Sequence, residues 1–70
     1  MSYFSDRIKE LRKAKNMTQR QMADALGITE RSYQRYEADS NPNIETLIKL
    51  ANFFEVSTDY LLGRTDTQTP

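Results

Sequence analysis

The sequence has no cysteine, no histidine and no tryptophan, and only two glycines and two prolines in 70 residues. Without cysteine no disulfide can staple the chain, and without cysteine or histidine the usual zinc sites are excluded. The missing histidine and cysteine also remove the commonest nucleophile–base pairs. With two isolated glycines there is no glycine-rich phosphate loop, and no paired-carboxylate constellation stands out. Catalysis, metal binding and a bound cofactor are therefore not expected. Apolar runs are only a few residues long, so nothing spans a bilayer, and the opening MSYFSDRIKE has no signal-peptide pattern. A cytoplasmic location is the default expectation. The core must come from a 37% hydrophobic fraction with four tyrosines and three phenylalanines. A single core of this size supplies roughly 3–5 kcal/mol, which makes self-association relevant.

Net charge is also lacking: ten basic residues balance ten acidic ones. The balance is a cancellation. Residues 1–37 carry eight basic and five acidic residues, net +3, and residues 38–70 carry two and five, net −3. The order of charge along the chain is thus compatible with a polarised molecule, although the total is zero.

What is present is helical. Phe4, Ile8 and Leu11 recur at spacings of three and four and predict a first helix over Tyr3–Lys15, with Ser2 or Ser5 as its cap. Thr18 and Gln21 have capping-box spacing, Met17 and Met22 can staple the same turn, and Gly27 can end a second helix after Leu26. Thr29 caps a third helix from Glu30 to Glu37 or Ala38, and Asp39-Ser40-Asn41-Pro42-Asn43 is a turn-forming run. Asn43 caps a fourth helix, Ile44 to about Phe54, with an expected buried stripe of Ile44, Leu47, Ile48, Leu50 or Ala51, and Phe54. Ser57 caps a short fifth, Thr58–Leu62, which Gly63 ends. The expectation is an all-α domain of five short helices over residues 1–63, followed by a frayed polar tail, 64–70. No separate sensor or catalytic domain is expected.

The informative spacing lies between the second and third helices. Gly27 to Thr29 is too short for a generous hairpin loop and fits a helix-turn-helix, in which the helices cross steeply. Met22, Leu26, Ile28, Tyr33 and Tyr36 can hold that crossing, with small Ala23 at the close approach and Gly27 in the turn. The outer face of the third helix is then presented to a partner.

The stretch RIKELRKAKNMTQRQMADALGITERSYQRYEADSNPNIETLIKLANFFEVSTDYLLG, Arg7 to Gly63, resembles the Cro/CI-type (XRE) helix-turn-helix domain of phage repressors and small bacterial regulators. The ordered set MTQRQMADALGIT, TERSYQRYE, NPNIETLIKLANFF and VSTDYLLG carries the resemblance. It implies a compact five-helix, lambda-repressor-like fold that binds double-stranded DNA as a dimer on a partly palindromic operator, without catalysis. It further implies base reading by Glu30, Arg31, Ser32 and Arg35, with Gln34 at the edge. Thr18, Gln19, Arg12, Asn41 and Asn43 become candidate phosphate contacts, and Arg12 with Glu37 a structural ion pair.

The residue chemistry agrees. Arg31 and Arg35, four apart, share one helix face, and an arginine can read guanine O6 and N7. Ser32 can bond a base or phosphate, and Glu30 can accept from cytosine but repels phosphate. Arg7, Lys9, Lys13, Lys15 and Arg20 are candidates for longer-range attraction. In isolation Arg31 and Arg35 would read first as solvated charges, a reading the full motif reverses, and Asn41 and Asn43 read also as turn and cap residues. Tyr33 and Tyr36 depart from the bulky apolar residues frequent in the family, and the Tyr33 hydroxyl is expected to reach an edge, a water or a phosphate. Phe53 or Phe54, with Tyr60 or Leu62, forms a candidate dimer contact. That surface with the acidic C-terminal half carries the alternative reading, a protein-interaction module or antitoxin-like subunit on the same scaffold.

Overall fold

The computed structural model describes residues 3–70, and the candidate cap Ser2 lies outside the described residues. Five helices follow in order: α1 Tyr3–Ala14, α2 Gln19–Leu26, α3 Glu30–Ala38, α4 Ile44–Phe54 and α5 Thr58–Leu61. Local chemistry sets most of their ends. The Thr18 hydroxyl accepts from the Gln21 amide at 3.0 Å while the Gln21 side chain accepts from the Thr18 amide at 2.8 Å, a complete capping box. Thr29, Asn43 and Ser57 cap α3, α4 and α5 through a side-chain oxygen alone, accepting from the Ser32, Thr46 and Tyr60 amides. Gly27 closes α2 in the left-handed region at φ 72, and the Ile28 amide turns back to the Ala23 carbonyl at 3.0 Å. A Cβ at Gly27 would meet nothing within 4 Å, so the backbone angle rather than space favours glycine there.

The core gathers Phe4 and Ile8 of α1, Met22, Ala23 and Leu26 of α2, Tyr33 of α3, Leu50, Ala51 and Phe54 of α4, and Val56, Tyr60 and Leu61. Leu11, Met17, Ile28, Tyr36, Leu47 and Phe53 pack around it, half-buried. Helix α3 packs on both α1 and α2, and α4 and α5 close the opposite side of the core.

Four expectations need correction. Ser5 is not a cap: it lies inside the first turn of α1, fully buried, and its hydroxyl donates to the Tyr36 carbonyl at 2.6 Å. The stripe of α4 is Thr46, Leu50, Ala51 and Phe54, whereas Ile44 is 77% and Ile48 47% exposed. Residues two apart on a helix point about 200° away from each other, so a phase that buries Thr46 and Leu50 turns Ile44 and Ile48 outward. Phe54 and Tyr60 belong to the core and are unavailable as dimer surface, which leaves only Phe53, half-buried, and Leu62, 45% exposed, from that candidate contact.

The tail, finally, is held rather than frayed. Arg7 donates to the carbonyls of Tyr60 and Thr65 at 2.5 and 2.6 Å and pairs with Asp66 at 2.7 Å. Its guanidinium lies 4.1 Å from the Tyr60 ring centroid. The Ser57 amide donates to the Gln68 carbonyl at 3.1 Å, and the Gln68 side chain reaches the Tyr60 hydroxyl. Arg7 is consequently an internal clasp, with a side chain only 12% exposed, and not one of the solvent-facing charges.

Candidate nucleic-acid interface

Helices α2 and α3 are joined by Gly27, Ile28 and Thr29, and α3 turns its Tyr33 and Glu37 row into the core. Arg31 and Arg35 each stand two residues from Tyr33, which places both on the opposite side of α3. Both are exposed, as are Glu30 and Gln34. The Gln34 amide donates to the Glu30 carboxylate at 3.3 Å, so these two neighbours satisfy each other in part. Ser32 is half-buried and close to the cap: its amide and its hydroxyl both bond the Thr29 hydroxyl, at 3.1 and 3.0 Å. Its hydroxyl is thus tied to the start of the helix.

The seat of α3 is a polar cluster under its last turn. Arg12 grips Glu37 with two bonds, Nε to Oε2 at 2.6 Å and Nη2 to Oε1 at 3.1 Å, and donates through Nη1 to the Met17 carbonyl at 2.7 Å. Gln19, the first residue of α2, adds a bond from Nε2 to Glu37 Oε1 at 3.2 Å. The side chains of Arg12 and Glu37 are 12% and 2% exposed. The Arg12–Glu37 pair at the end of α3 therefore ties that helix to α1, the α1–α2 turn and α2. Arg12, expected both as a phosphate contact and as an ion pair, is placed in the pair with much of its donor capacity consumed. Gln19 braces the same carboxylate, and Thr18, Asn41 and Asn43 are exposed. The Asn43 side-chain oxygen is engaged by the Thr46 amide at 2.8 Å, which leaves the side-chain amide group for other contacts.

Burial works against the charge on Glu37, but its polar neighbours, Arg12 foremost, outweigh it and hold the carboxyl below its ordinary range. The hydrogen bond to Glu37 correspondingly holds the Arg12 guanidinium above its ordinary value. The Tyr33 hydroxyl adjoins this cluster. Contrary to expectation it reaches no edge: Tyr33 is 0% exposed and its oxygen has no hydrogen-bond partner. Burial, reinforced by the neighbouring carboxylate, pushes its ionisation up from the ordinary 10.0.

These two shifts act on stability with opposite signs. Glu37 titrates lower folded than unfolded, so its contribution is complete above the ordinary 4.5 and disappears as the pH falls through the depressed folded value. Tyr33 titrates higher folded, so its contribution is complete below 10.0 and is lost as the pH rises beyond it. The Tyr33→Phe variant is expected to gain about 1 kcal/mol at neutral pH, because it removes an unpaired buried hydroxyl. It should also flatten the alkaline limb and leave the acid limb in place, as read by urea unfolding across pH. A loss of stability at neutral pH would show that the hydroxyl has a partner.

The resemblance pointed to the Arg12–Glu37 pair; the clasp at Arg7 was missed. Its partners lie 53 to 59 positions further along the chain, and no local pattern marks such a contact. Among the described residues no group of acidic side chains is arranged to hold a metal ion, and no helix is long and apolar enough to cross a membrane.

A sequence model described as helix-turn-helix matches residues 8–61, which covers α1 from Ile8 onward and all of α2 to α5. The chain is 43% identical over 68 residues to the uncharacterized HTH-type transcriptional regulator YobD of Bacillus subtilis strain 168, covering 96% of this chain and 61% of that protein. It is 50% identical over 60 residues to YqaE, another such regulator of the same strain, covering 84% and 52%. It is 47% identical over 60 residues to the cryptic phage CTXphi transcriptional repressor RstR of Vibrio cholerae, covering 84% and 54%. The chain thus spans between half and two thirds of the length of these relatives. The names of these relatives describe regulators of transcription. Five helices, a three-residue turn between α2 and α3 and these matches together show that the chain belongs to the Cro/CI-type (XRE) family of DNA-binding helix-turn-helix transcriptional regulators.

Proposed function

We propose that this chain reads a specific double-stranded DNA sequence and represses transcription by occupying a partly palindromic operator as a dimer. The observation that carries the reading is the outer face of α3, where Arg31 and Arg35 stand exposed above a seat that Arg12, Gln19 and Glu37 lock to α1 and α2. A recognition element must be rigid for a base contact to discriminate, and this one is anchored under its last turn. Arg31 and Arg35 would read base edges in the major groove, with Glu30, Gln34 and Ser32 around them. Thr18 and the first amides of α2, and Asn41 and Asn43 ahead of α4, suit phosphate oxygens on the flanks. Gln19 would reach the same strand while bracing Glu37. Repression is the sense suggested by the relative RstR, whose name describes a phage repressor.

The interaction-module alternative loses ground, because half of its surface, Phe54 and Tyr60, is core. Selection from a random double-stranded DNA library tests the proposal. The expected result is an inverted repeat whose half-sites are about 34 Å apart, one helical turn. No enriched motif even at low salt would overturn it.

A further inference from the structure

The exposed ridge of α4 has no partner among the described residues. Ile44, 77% exposed, and Ile48, 47% exposed, stand one helical turn apart, and Asn52 continues the same line as an exposed polar residue. Glu45 and Lys49 run along one flank of this ridge, themselves paired at 3.5 Å with side chains 79% and 49% exposed. We infer that this ridge is where a second copy of the chain docks, α4 against α4, about a two-fold axis passing beside Ile48; the inference rests on the dimeric DNA reading above and supplies the contact it requires.

Charge order selects the occupant. A two-fold axis perpendicular to two antiparallel helices leaves each flank on its own side and reverses direction along the helix. With Ile48 at the axis, Ile48 meets its own copy, Ile44 comes opposite Asn52, and Glu45 of each copy comes alongside Lys49 of the other. The two intrahelical pairs exchange into two intermolecular ones with no charge left over. A chain with zero net charge adds no long-range repulsion between copies. An unrelated partner would need to supply this acid–base order by coincidence, whereas a second copy carries it necessarily.

Area sets the strength. The exposed parts of Ile44 and Ile48 amount to little more than one isoleucine per copy, and even with the flanking side chains this lies far below the roughly 800 Å² per partner of a standard stable interface. The contact is therefore weak in free solution and becomes effective when two half-sites hold two copies at high local concentration. Dimerisation is then a property of the DNA complex, and half-site spacing is read through the geometry of α4.

The absence of native cysteine makes a clean covalent test. In the full-length Ile48→Cys variant, the new thiol near the axis should give a disulfide-linked dimer under mild oxidation on operator DNA, where Lys9→Cys should not. Ile48→Asp should leave unfolding and binding to a single half-site unchanged while lowering cooperativity on the inverted repeat by about tenfold or more. Glu45→Lys or Lys49→Glu alone should weaken cooperativity, and the double reversal should restore it. Unchanged cooperativity in Ile48→Asp, or no crosslink through Ile48→Cys, would overturn the inference while half-site binding still stood. Loss of half-site binding in the unaltered chain would instead sink the DNA reading itself.

Discussion

Replacing Arg12 by alanine is expected to cost about 3–5 kcal/mol, the penalty for leaving a buried carboxylate without its cation. Glu37 is 2% exposed and would lose both of its guanidinium bonds while the Gln19 amide at 3.2 Å remained. A core of this size supplies roughly the same total, so the variant should be largely unfolded at 25 °C. Helical circular dichroism and urea unfolding would show it. The pair is not thereby worth that sum, since its own formation required desolvating two charges. Replacing both residues with methionine should consequently recover much of the loss, giving a double variant more stable than either single one. A cost below about 1 kcal/mol for Arg12→Ala would reduce the pair to an ordinary surface bridge.

Arg35→Ala carries the second large effect, on binding rather than folding. Loss of a bidentate base contact should weaken binding to the selected operator by about 1–3 kcal/mol, roughly fivefold to 150-fold, and relax preference at one base pair. Binding to unrelated DNA should fall much less, by the loss of a single exposed charge. Arg20→Ala is the control, because an exposed cation at the start of α2 should weaken all sequences alike and flatten the salt dependence by about one phosphate. Equal losses on all sequences for Arg35→Ala would refute base reading by that residue. Stability should be unaltered, since Arg35 makes no side-chain bond to the core among the described contacts.

Much of this architecture is legible in the chain because helix ends are local events. Thr18 with Gln21, Gly27, Thr29, Asn43 and Ser57 each act within a few residues, and each sits where its chemistry places it. The phase of α4 was not legible. Ile44 and Ile48 are as apolar as Leu50, and hydrophobicity alone cannot choose between ridges on opposite sides of one helix. The choice came from packing against α2 and α5. Phe54 and Tyr60 illustrate the converse: adjacent aromatics advertise surplus apolar surface, yet Phe54 turns inward and Tyr60 is covered by Arg7 and the returning tail. On the recognition side, residue spacing put Arg31 and Arg35 on one face. The Arg12–Glu37 pair followed only from the family pattern, since 25 positions separate the partners.

The bonds of α3 are distributed unevenly, and this bears on how such a protein changes its target over generations. Among the described contacts, the helix is fastened through Tyr33, Tyr36 and Glu37 on one side and the Thr29 cap at its start. The Glu30 and Gln34 side chains bond each other, and Arg31 and Arg35 project outward. Substitutions at such exposed positions usually alter stability by no more than about 0.5 kcal/mol. The four outward residues can therefore be exchanged as a set with little effect on folding, and a lineage carrying this seat can acquire a new operator without first acquiring a more stable domain.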